Sequence, residues 1–246
     1  MSDPDGTRQA LDALDRRVAS CTRCPRLVEW RELKAEEKRA AYDDWDYWGR
    51  PVPGFGDPDP WLLIVGLAPA AHGANRTGRM FTGDHSGHFL YRALHRAGFA
   101  NQPTSDRRGD GLELTGAYVT AAVRCAPPDN RPEPSERKNC REYLEREVDL
   151  LLQGLRLVVP LGGYAYAHAL RIFRGRRWEV PSPMPEFGHG VEVEIGRPPG
   201  AADGTPPSLT VLCSYHPSQQ NTFTGTLTEA MFDRIWERAR ELEPPA

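Results

Sequence analysis

Four of the five cysteines in this 246-residue chain are spaced in a way that could bind a metal. Cys21 and Cys24 form a C-x2-C pair, and Cys125 and Cys140 follow much later in the chain. Four thiolates can hold either a tetrahedral zinc ion or an iron–sulfur cluster, and their spacing alone does not choose between the two. The alternative is buried or free thiols, which is our interpretation of Cys213 because it lies in an apolar segment.

Three side chains of catalytic type, Asp84, Asn130 and His216, each lie in a loop that follows a short apolar segment. Loops that leave the carboxyl ends of parallel strands meet at one edge of a sheet, so we expect these three residues to lie close together. Structural alternatives stay open for each of them. Asp84 stands where a helix N-cap is expected, Asn130 lies in a proline-flanked turn, and His216 precedes a turn-forming proline.

The segments that must position these residues alternate between strand and helix patterns. Apolar runs predict four strands, at residues 61–65, 117–123, 155–159 and 209–213. Helical patterns follow residue 84 and recur near 136–153 and 163–174. This order predicts βαβ units, and therefore an α/β fold with a parallel sheet covered by helices on both faces. The strictly alternating segment 191–195 predicts an extra edge strand or hairpin arm.

Length and charge limit the class of protein. The chain fits one α/β domain over 1–246, with an N-terminal helical arm at 7–45 that delivers the first two cysteines. It has no apolar run of about 20 residues and no recognisable signal peptide, so we expect a cytosolic protein of a bacterium or archaeon. The net charge of −3 excludes a globally basic nucleic-acid binder, and any such surface must be local.

Several longer motifs surround the predicted strands. PVPGFGDP precedes the first strand and GLAPAAHGANRTGRMFTGD follows it, VRCAPPDNRP follows the second strand, and HPSQQNTFTG follows the fourth. Together they resemble the iron–sulfur uracil-DNA glycosylases, and within them family 5, over roughly residues 20–237. The resemblance implies the uracil-DNA glycosylase fold, a three-layer sandwich with a short central parallel β-sheet flanked by helices. It also implies an enzyme that removes uracil from DNA.

The resemblance implies a cofactor and a branch of the family. The family's cysteine pattern is met by Cys21, Cys24, Cys125 and Cys140, which favours a 4Fe-4S cluster over zinc. Related family-4 enzymes carry an acidic residue where this chain has Leu67. That difference indicates family 5, whose members accept a broader range of substrates that includes hypoxanthine and other deaminated bases.

Cleavage of the bond between base and deoxyribose places positive charge on the sugar and negative charge on the departing base. We therefore expect His216 to stabilise the base, Asp84 to orient water or stabilise the sugar cation, and Asn130 to hydrogen-bond the base edge. Phe81 is predicted to stack on the flipped base, with an ordinary core position as the alternative. The other predicted substrate contacts are Ala68, Ala70, His72 and Ser218.

The predicted partner is DNA containing uracil or other deaminated bases, bound by a monomer that needs no other protein. The loop at 218–225 is expected to wedge into the base stack. Phosphate contacts are expected from seven arginines, Arg76, Arg79, Arg124, Arg131, Arg174, Arg176 and Arg177. Two alternatives are a non-catalytic iron–sulfur or zinc protein that binds damaged DNA, and a redox protein whose cluster carries electrons.

Overall fold

The computed structural model describes residues 4–244, which contain one six-stranded sheet. Its strands are β1 (Phe55–Gly56), β2 (Leu62–Gly66), β3 (Ala117–Ala121), β4 (Leu157–Pro160), β5 (Glu192–Gly196) and β6 (Ser208–Leu212). Their spatial order is β1-β3-β2-β4-β6-β5. The four inner strands are parallel, and the two edge strands are antiparallel to their neighbours. The predicted α/β class is confirmed, with a mixed sheet in place of a purely parallel one.

Helices cover both faces of the sheet and complete three layers. They are α1 (Pro4–Ala19), α2 (Pro25–Glu37), α3 (Ala74–Thr77), α4 (His85–Arg96), α5 (Pro134–Leu151), α6 (Gly163–Gly175), α7 (Gln219–Phe223) and α8 (Glu229–Glu241). Leu90 of α4 and Trp236 of α8 are fully buried on one face. Leu144 of α5 and Phe173 of α6 are buried on the other face.

The burial of each strand explains its sequence pattern. Every residue of β2, β3 and β4 is buried, because helices cover both sides of these strands. Ile64, for example, lies in register between Val119 and Val159. In β5 the exposed residues alternate with Val193 and Ile195, which are buried. The predicted edge strand is therefore confirmed. The two-residue strand β1 was not predicted, because its proline- and glycine-rich surroundings indicate a loop.

The strand order fixes where a ligand can bind. After β2 the chain passes to β3 on one side, and it later returns to β4 on the other side of β2. The connections therefore diverge between β2 and β4 and leave a crevice beyond their carboxyl ends, which is where open α/β sheets bind ligands. The loop after β2 is the glycine-rich segment 66–84.

An N-terminal arm, formed by α1 and α2, lies against the helical layer. Leu11, Leu14 and Val18 of α1 are buried, and α1 contacts α5. The arm places Cys21 and Cys24 in one cavity with Cys125 and Cys140 of the main body. A single domain over 1–246 stays a prediction, and residues 1–3 and 245–246 lie outside the described part. Within residues 4–244, no helix is both long and apolar enough to cross a membrane.

A buried ion pair joins the end of β3 to α5. The Arg124 guanidinium contacts the Glu147 carboxylate, and the two side chains are 1% and 0% exposed. Thr120 of β3 donates its hydroxyl hydrogen to the same carboxylate at 2.6 Å. Desolvation makes such a pair costly, and the loss of one partner is costlier still because it leaves an uncompensated buried charge.

We expect Glu147→Ala to lower the free energy of unfolding by about 3–5 kcal/mol, because it leaves the buried Arg124 guanidinium without a charged partner. The measurement is urea unfolding followed by circular dichroism. The matched control is Asp149→Ala on the same helix, which removes a half-exposed partner of Arg176 and should cost about 0–1 kcal/mol. Equal losses for the two variants would contradict the assignment of Arg124 and Glu147 as a critical buried pair.

Candidate functional site

The end of β2 holds an aromatic side chain in an unusual conformation. Phe81 has a φ of 52°, and the carbonyl oxygen of this residue accepts a hydrogen bond from the Ser105 hydroxyl at 3.1 Å. Its ring lies against the backbone of Gly66, where a methyl group would come within 2.7 Å of the Phe81 Cζ atom. A left-handed backbone costs a non-glycine residue roughly 1–2 kcal/mol, and such strain is concentrated at functional sites.

Phe81 and His216 face each other across the crevice. Their ring centroids are 6.0 Å apart with an interplanar angle of 35°. His216 follows β6, and its carbonyl oxygen accepts a hydrogen bond from the Asn221 side chain at 2.9 Å. A methyl group on Gly162, at the end of β4, would lie 3.3 Å from the His216 Cβ atom. The strand ends thus bring these two predicted residues together.

The His216 imidazole is available to a ligand. It makes no side-chain hydrogen bond within the part of the chain that the structure describes, and burial lowers its pKa to about 4. The ring is therefore neutral near pH 7, with one nitrogen that donates and one that accepts. A neutral imidazole held this way can donate one hydrogen bond to a ligand and accept another.

Asp84 both caps α4 and borders the glycine-rich loop. Its Oδ1 atom accepts a hydrogen bond from the Gly87 amide at 2.8 Å, so the predicted N-cap is confirmed. Its Oδ2 atom lies so close to Gly73 that a methyl group there would come within 2.0 Å. Desolvation raises the pKa of Asp84, and the Gly87 hydrogen bond partly opposes that change. One carboxylate oxygen is thus committed to the helix, and the other has no hydrogen-bond partner among residues 4–244.

The loop backbone offers further donors. Among the described residues, the amide N–H groups of Ala68, Ala70 and His72 have no protein acceptor. The amides of Gly73 and Asn75, in contrast, both donate to the Ala70 carbonyl oxygen. The His72 side chain is already engaged, because its Nδ1 atom lies 3.0 Å from the Tyr47 hydroxyl. Any contact from this residue to a ligand is therefore best made by its backbone.

Asn130 lies on an exposed turn, whereas Ser218 is half-buried at the start of a helix. Asn130 follows β3 in a left-handed conformation with a φ of 56°, and its side chain makes no hydrogen bond within residues 4–244. No ring contact or hydrogen bond joins it to Phe81 or His216 in that part of the chain. Ser218 is the N-cap of α7 and accepts a hydrogen bond from the Asn221 amide at 3.3 Å.

The four predicted cysteine ligands line one cavity between the N-terminal arm and the main body. Three of their sulfurs accept hydrogen bonds: Cys125 from the Arg31 guanidinium at 3.2 Å, Cys140 from a backbone amide at 3.2 Å, and Cys24 from an asparagine side chain at 3.6 Å. Cys213 is buried elsewhere, as predicted.

The geometry of this cavity discriminates between one ion and a larger group. In residues 4–244, no three His, Cys, Asp or Glu side chains lie close enough together to hold a single metal ion. The four thiols nevertheless share one cavity, and N–H donors point at their sulfurs, as is usual around thiolate-bound clusters. The residues present therefore fit a polynuclear iron–sulfur group better than they fit one zinc ion.

Three predicted phosphate contacts are wrong. The side chains of Arg76, Arg79 and Arg124 are buried, so none of them can reach DNA. Arg76 lies between the rings of Tyr42 and Trp45, 3.9 and 4.0 Å from their centroids. Arg79 forms a two-pronged ion pair with an aspartate, and Arg124 forms the buried pair with α5. Arginine is also used for buried pairs and aromatic stacking, so residue type alone does not indicate a phosphate contact.

Sequence reasoning missed two residues near these sites. Arg31 is 3% exposed and donates to a cysteine sulfur, but its charged helix pattern indicates only a solvated surface. Phe223 is 73% exposed and lies against His85, with ring centroids 5.0 Å apart. The sequence signal for Phe223 is a large aromatic residue in an otherwise small and polar loop.

Comparison with known proteins gives a consistent family. The profile of the uracil DNA glycosylase superfamily matches residues 53–240. The "Type-5 uracil-DNA glycosylase" of Mycobacterium tuberculosis is 51% identical over 237 residues, which cover 96% of this chain and 83% of that protein. The protein of the same name from Thermus thermophilus is 46% identical over 231 residues, or 94% and 97% of the two chains. A "Type-4 uracil-DNA glycosylase" of Sulfurisphaera tokodaii is 30% identical over 122 residues, or 49% and 48%.

The two roles of Asp84 can be separated by stability. We expect Asp84→Ala to lower the free energy of unfolding by about 1 kcal/mol through loss of the cap, and Asp84→Asn to keep the cap. Because the folded pKa of Asp84 is raised, the wild type loses stability as pH rises from about 4 through that folded pKa. The stability of the Asn variant relative to the wild type should therefore increase over this window. Chemical denaturation across pH measures both effects, and a pH-independent difference would contradict them.

Proposed function

The chain belongs to the uracil DNA glycosylase superfamily, and we propose that it is a type-5 uracil-DNA glycosylase acting in base excision repair. It hydrolyses the N-glycosidic bond of uracil in DNA and leaves an abasic site. We extend this proposal to other deaminated bases such as hypoxanthine, to a monomer without an obligate protein partner, and to action in the cytosol. The observation that carries the proposal is the facing pair of Phe81 and His216 at the switch point of the sheet.

A flipped base would stack on Phe81. Base–aromatic stacking contributes about 1–3 kcal/mol per base and tolerates different rings, which suits an enzyme with several substrates. The strained backbone of Phe81 and the absence of a side chain at Gly66 support this role, because together they hold the ring in one place. The unpaired amides of Ala68, Ala70 and His72 would donate to the oxygen atoms of the same base.

His216 would stabilise the departing base by donating a hydrogen bond to its developing negative charge. A preorganised donor in a water-poor site costs little reorganisation and contributes about 3–4 kcal/mol. The depressed pKa of His216 supports a neutral donor at physiological pH. Asn130 would present its amide to the base edge.

Asp84 would serve the sugar. With Leu67 at the position where family-4 enzymes have an acid, Asp84 is the carboxylate of the 66–84 loop. Its Oδ2 atom has no partner among residues 4–244 and would orient the attacking water or stabilise the sugar cation. In its ionised form a desolvated carboxylate interacts strongly with such a cation, because the local dielectric constant is low.

Phe223 gives the predicted DNA wedge a specific side chain. It ends α7, directly after the loop that carries His216 and Ser218, and it is the most exposed large apolar side chain of the described residues. Apolar side chains inserted between base steps unstack them and help a base to leave the duplex. Ser218 would contact the nearby phosphate with its hydroxyl group.

Cys21, Cys24, Cys125 and Cys140 would hold a 4Fe-4S cluster. When bound, the cluster would connect the N-terminal arm to β3 and α5 through thiolate bonds, and it takes no part in hydrolysis. The separate positions of the cysteine cavity and the Phe81–His216 pair favour this role over electron transfer. The Arg31 guanidinium would stabilise the negative charge that thiolates bring to this buried place.

The activity is tested with a labelled oligonucleotide that contains one uracil, followed by heating in alkali. We expect cleavage by the wild type, and a loss of about 10²–10³ in single-turnover rate for His216→Ala, the size typical of one missing donor. Asn130→Ala should also lose activity. The control is His95→Ala, an exposed histidine at the end of α4. A cluster-loaded wild type without uracil-dependent cleavage would favour the alternative, a non-catalytic protein that binds damaged DNA.

The cluster is tested by iron and sulfide analysis together with visible absorption. Cys140→Ser should lose both elements and the brown colour, because it removes one of the four proposed ligands. Cys213→Ser is the matched control, since Cys213 is buried in a different core and should leave the colour unchanged. Zinc without sulfide in the wild type would overturn the cluster assignment while leaving the four cysteines as ligands.

A further inference from the structure

α5 and α6, which pack on the same face of the sheet, carry a group of basic and aromatic side chains that the proposed chemistry does not use. Tyr164, His168 and Arg171 are spaced i, i+4 and i+7 along α6, so they share one face of that helix. Arg137 and Arg141 are spaced i and i+4 along α5. We call these five residues the basic groove.

Side-chain contacts show that the two faces of the basic groove meet. The Arg137 guanidinium lies 5.9 Å from the centroid of the Tyr164 ring. Arg141 reaches across as well, since a methyl group on Gly175 of α6 would lie 2.6 Å from its Nη2 atom. Charges from both helices therefore converge on one strip of surface.

The charges of the basic groove are largely unneutralised. Arg141 pairs with Glu145 at 2.8 Å, but neither Arg137 nor Arg171 has a carboxylate partner among residues 4–244. The Tyr164 ring is 66% exposed beside them. This local excess of positive charge lies on a chain whose net charge is −3. It is therefore a feature of this surface rather than a consequence of composition.

His168 is a buried polar residue at the base of the basic groove. It is only 8% exposed, and its buried Nε2 atom has no hydrogen-bond partner in the described chain. Burial, reinforced by the charges of Arg171, Arg137 and Arg141, lowers the pKa of His168 to about 4. The imidazole is thus neutral and surrounded by three cations. A buried polar atom without a partner normally indicates a missing water or ligand.

The basic groove starts beside the proposed base site. α6 begins immediately after Gly162, whose Cα neighbours His216, and Arg137 lies in the first turn of α5, shortly after the Asn130 turn. From there the groove runs away from the crevice. Tyr164 and Arg171 are seven residues apart, or about 10 Å along the helix. That length corresponds to roughly three base pairs along the axis of duplex DNA.

We propose that the basic groove binds the sugar–phosphate backbone of the DNA that flanks the flipped nucleotide. The proposal rests on the proposed glycosylase function, since it extends the same DNA past the base site. Arg137 and Arg171 would contact phosphates, and these contacts carry no sequence information. The basic groove would thereby supply the phosphate contacts that the buried arginines of the 66–84 loop cannot make.

The test measures affinity for duplexes that contain a stable abasic analogue, which the enzyme binds but cannot process. One duplex ends about 5 base pairs from the lesion on each side, or half a helical turn, and the other extends about 20 base pairs on each side. Fluorescence anisotropy at several salt concentrations gives the dissociation constant and its salt dependence. The variants are Arg137→Gln/Arg171→Gln and, as matched control, Arg146→Gln. Arg146 is exposed on α5, two and a half turns from Arg137 and therefore on the opposite side of the helix.

On the long duplex, the double variant should bind at least about tenfold more weakly at moderate salt. Its slope of log K against log salt should be smaller by about 1–2, at roughly 0.9 per lost phosphate contact. The double variant should lose affinity to a similar extent on the short duplex, because the basic groove begins beside the base site and spans only about 10 Å. Arg146→Gln should match the wild type on both duplexes.

If the double variant kept the affinity of the wild type for the long duplex and the same slope of log K against log salt, the proposal that the basic groove binds DNA would be overturned. An equal loss for Arg146→Gln would do the same, because it would show a general effect of charge. Uracil excision by the wild type is measured separately. Failure of the groove proposal and failure of the proposed glycosylase function therefore give different results. Because the abasic duplex needs no turnover, the binding result decides the proposal even if excision fails.

Discussion

The fold depends on the burial of the Arg124 guanidinium between the sheet and α5, which carries a high desolvation cost. Its side chain pairs with Glu147, its amide donates to the Cys140 sulfur, and its carbonyl oxygen accepts from Val52 at 2.7 Å. One residue thus fixes the end of β3, the start of the cysteine cavity and the approach to β1. A displacement of α5 from β3 would leave the buried charge of Arg124 without its partner, which is costly.

This constraint relates the two halves of the site to each other. Cys125 directly follows Arg124, and the Asn130 turn follows within a few residues. The contacts of Arg124 at the end of the strand therefore help to position both of them. At the crevice itself, Phe81 packs against Gly66 and His216 lies beside Gly162, and both glycines allow close approach because they have no side chain. The crevice is therefore defined by backbone packing more than by hydrogen bonds between the functional side chains.

Much of this organisation could be predicted from the sequence. The apolar strands, the alternating edge strand β5 and the convergence of loops on one sheet edge follow from periodicity and from the topology of parallel sheets. Motifs that resemble a known family singled out the four cysteines that line one cavity and the neighbouring pair of Phe81 and His216. The arginines could not be predicted in the same way. Arg76 is buried because Tyr42 and Trp45 enclose it, and the positions of those rings depend on a loop whose path has no periodic signal. The strain at Phe81 likewise depends on contacts with Gly66 and Ser105 that are distant in sequence.

The arrangement of the cysteine cavity also sets an order of events during synthesis. Its walls come from the N-terminal arm and from β3 and α5, so Cys21 and Cys24 leave the ribosome long before Cys125 and Cys140 are made. A domain synthesised from its N-terminus can complete such a cavity only after α5 has emerged. Until then α1 lacks α5, the helix that it contacts in the folded protein. A cluster held by all four cysteines would therefore form only after α5 has been synthesised.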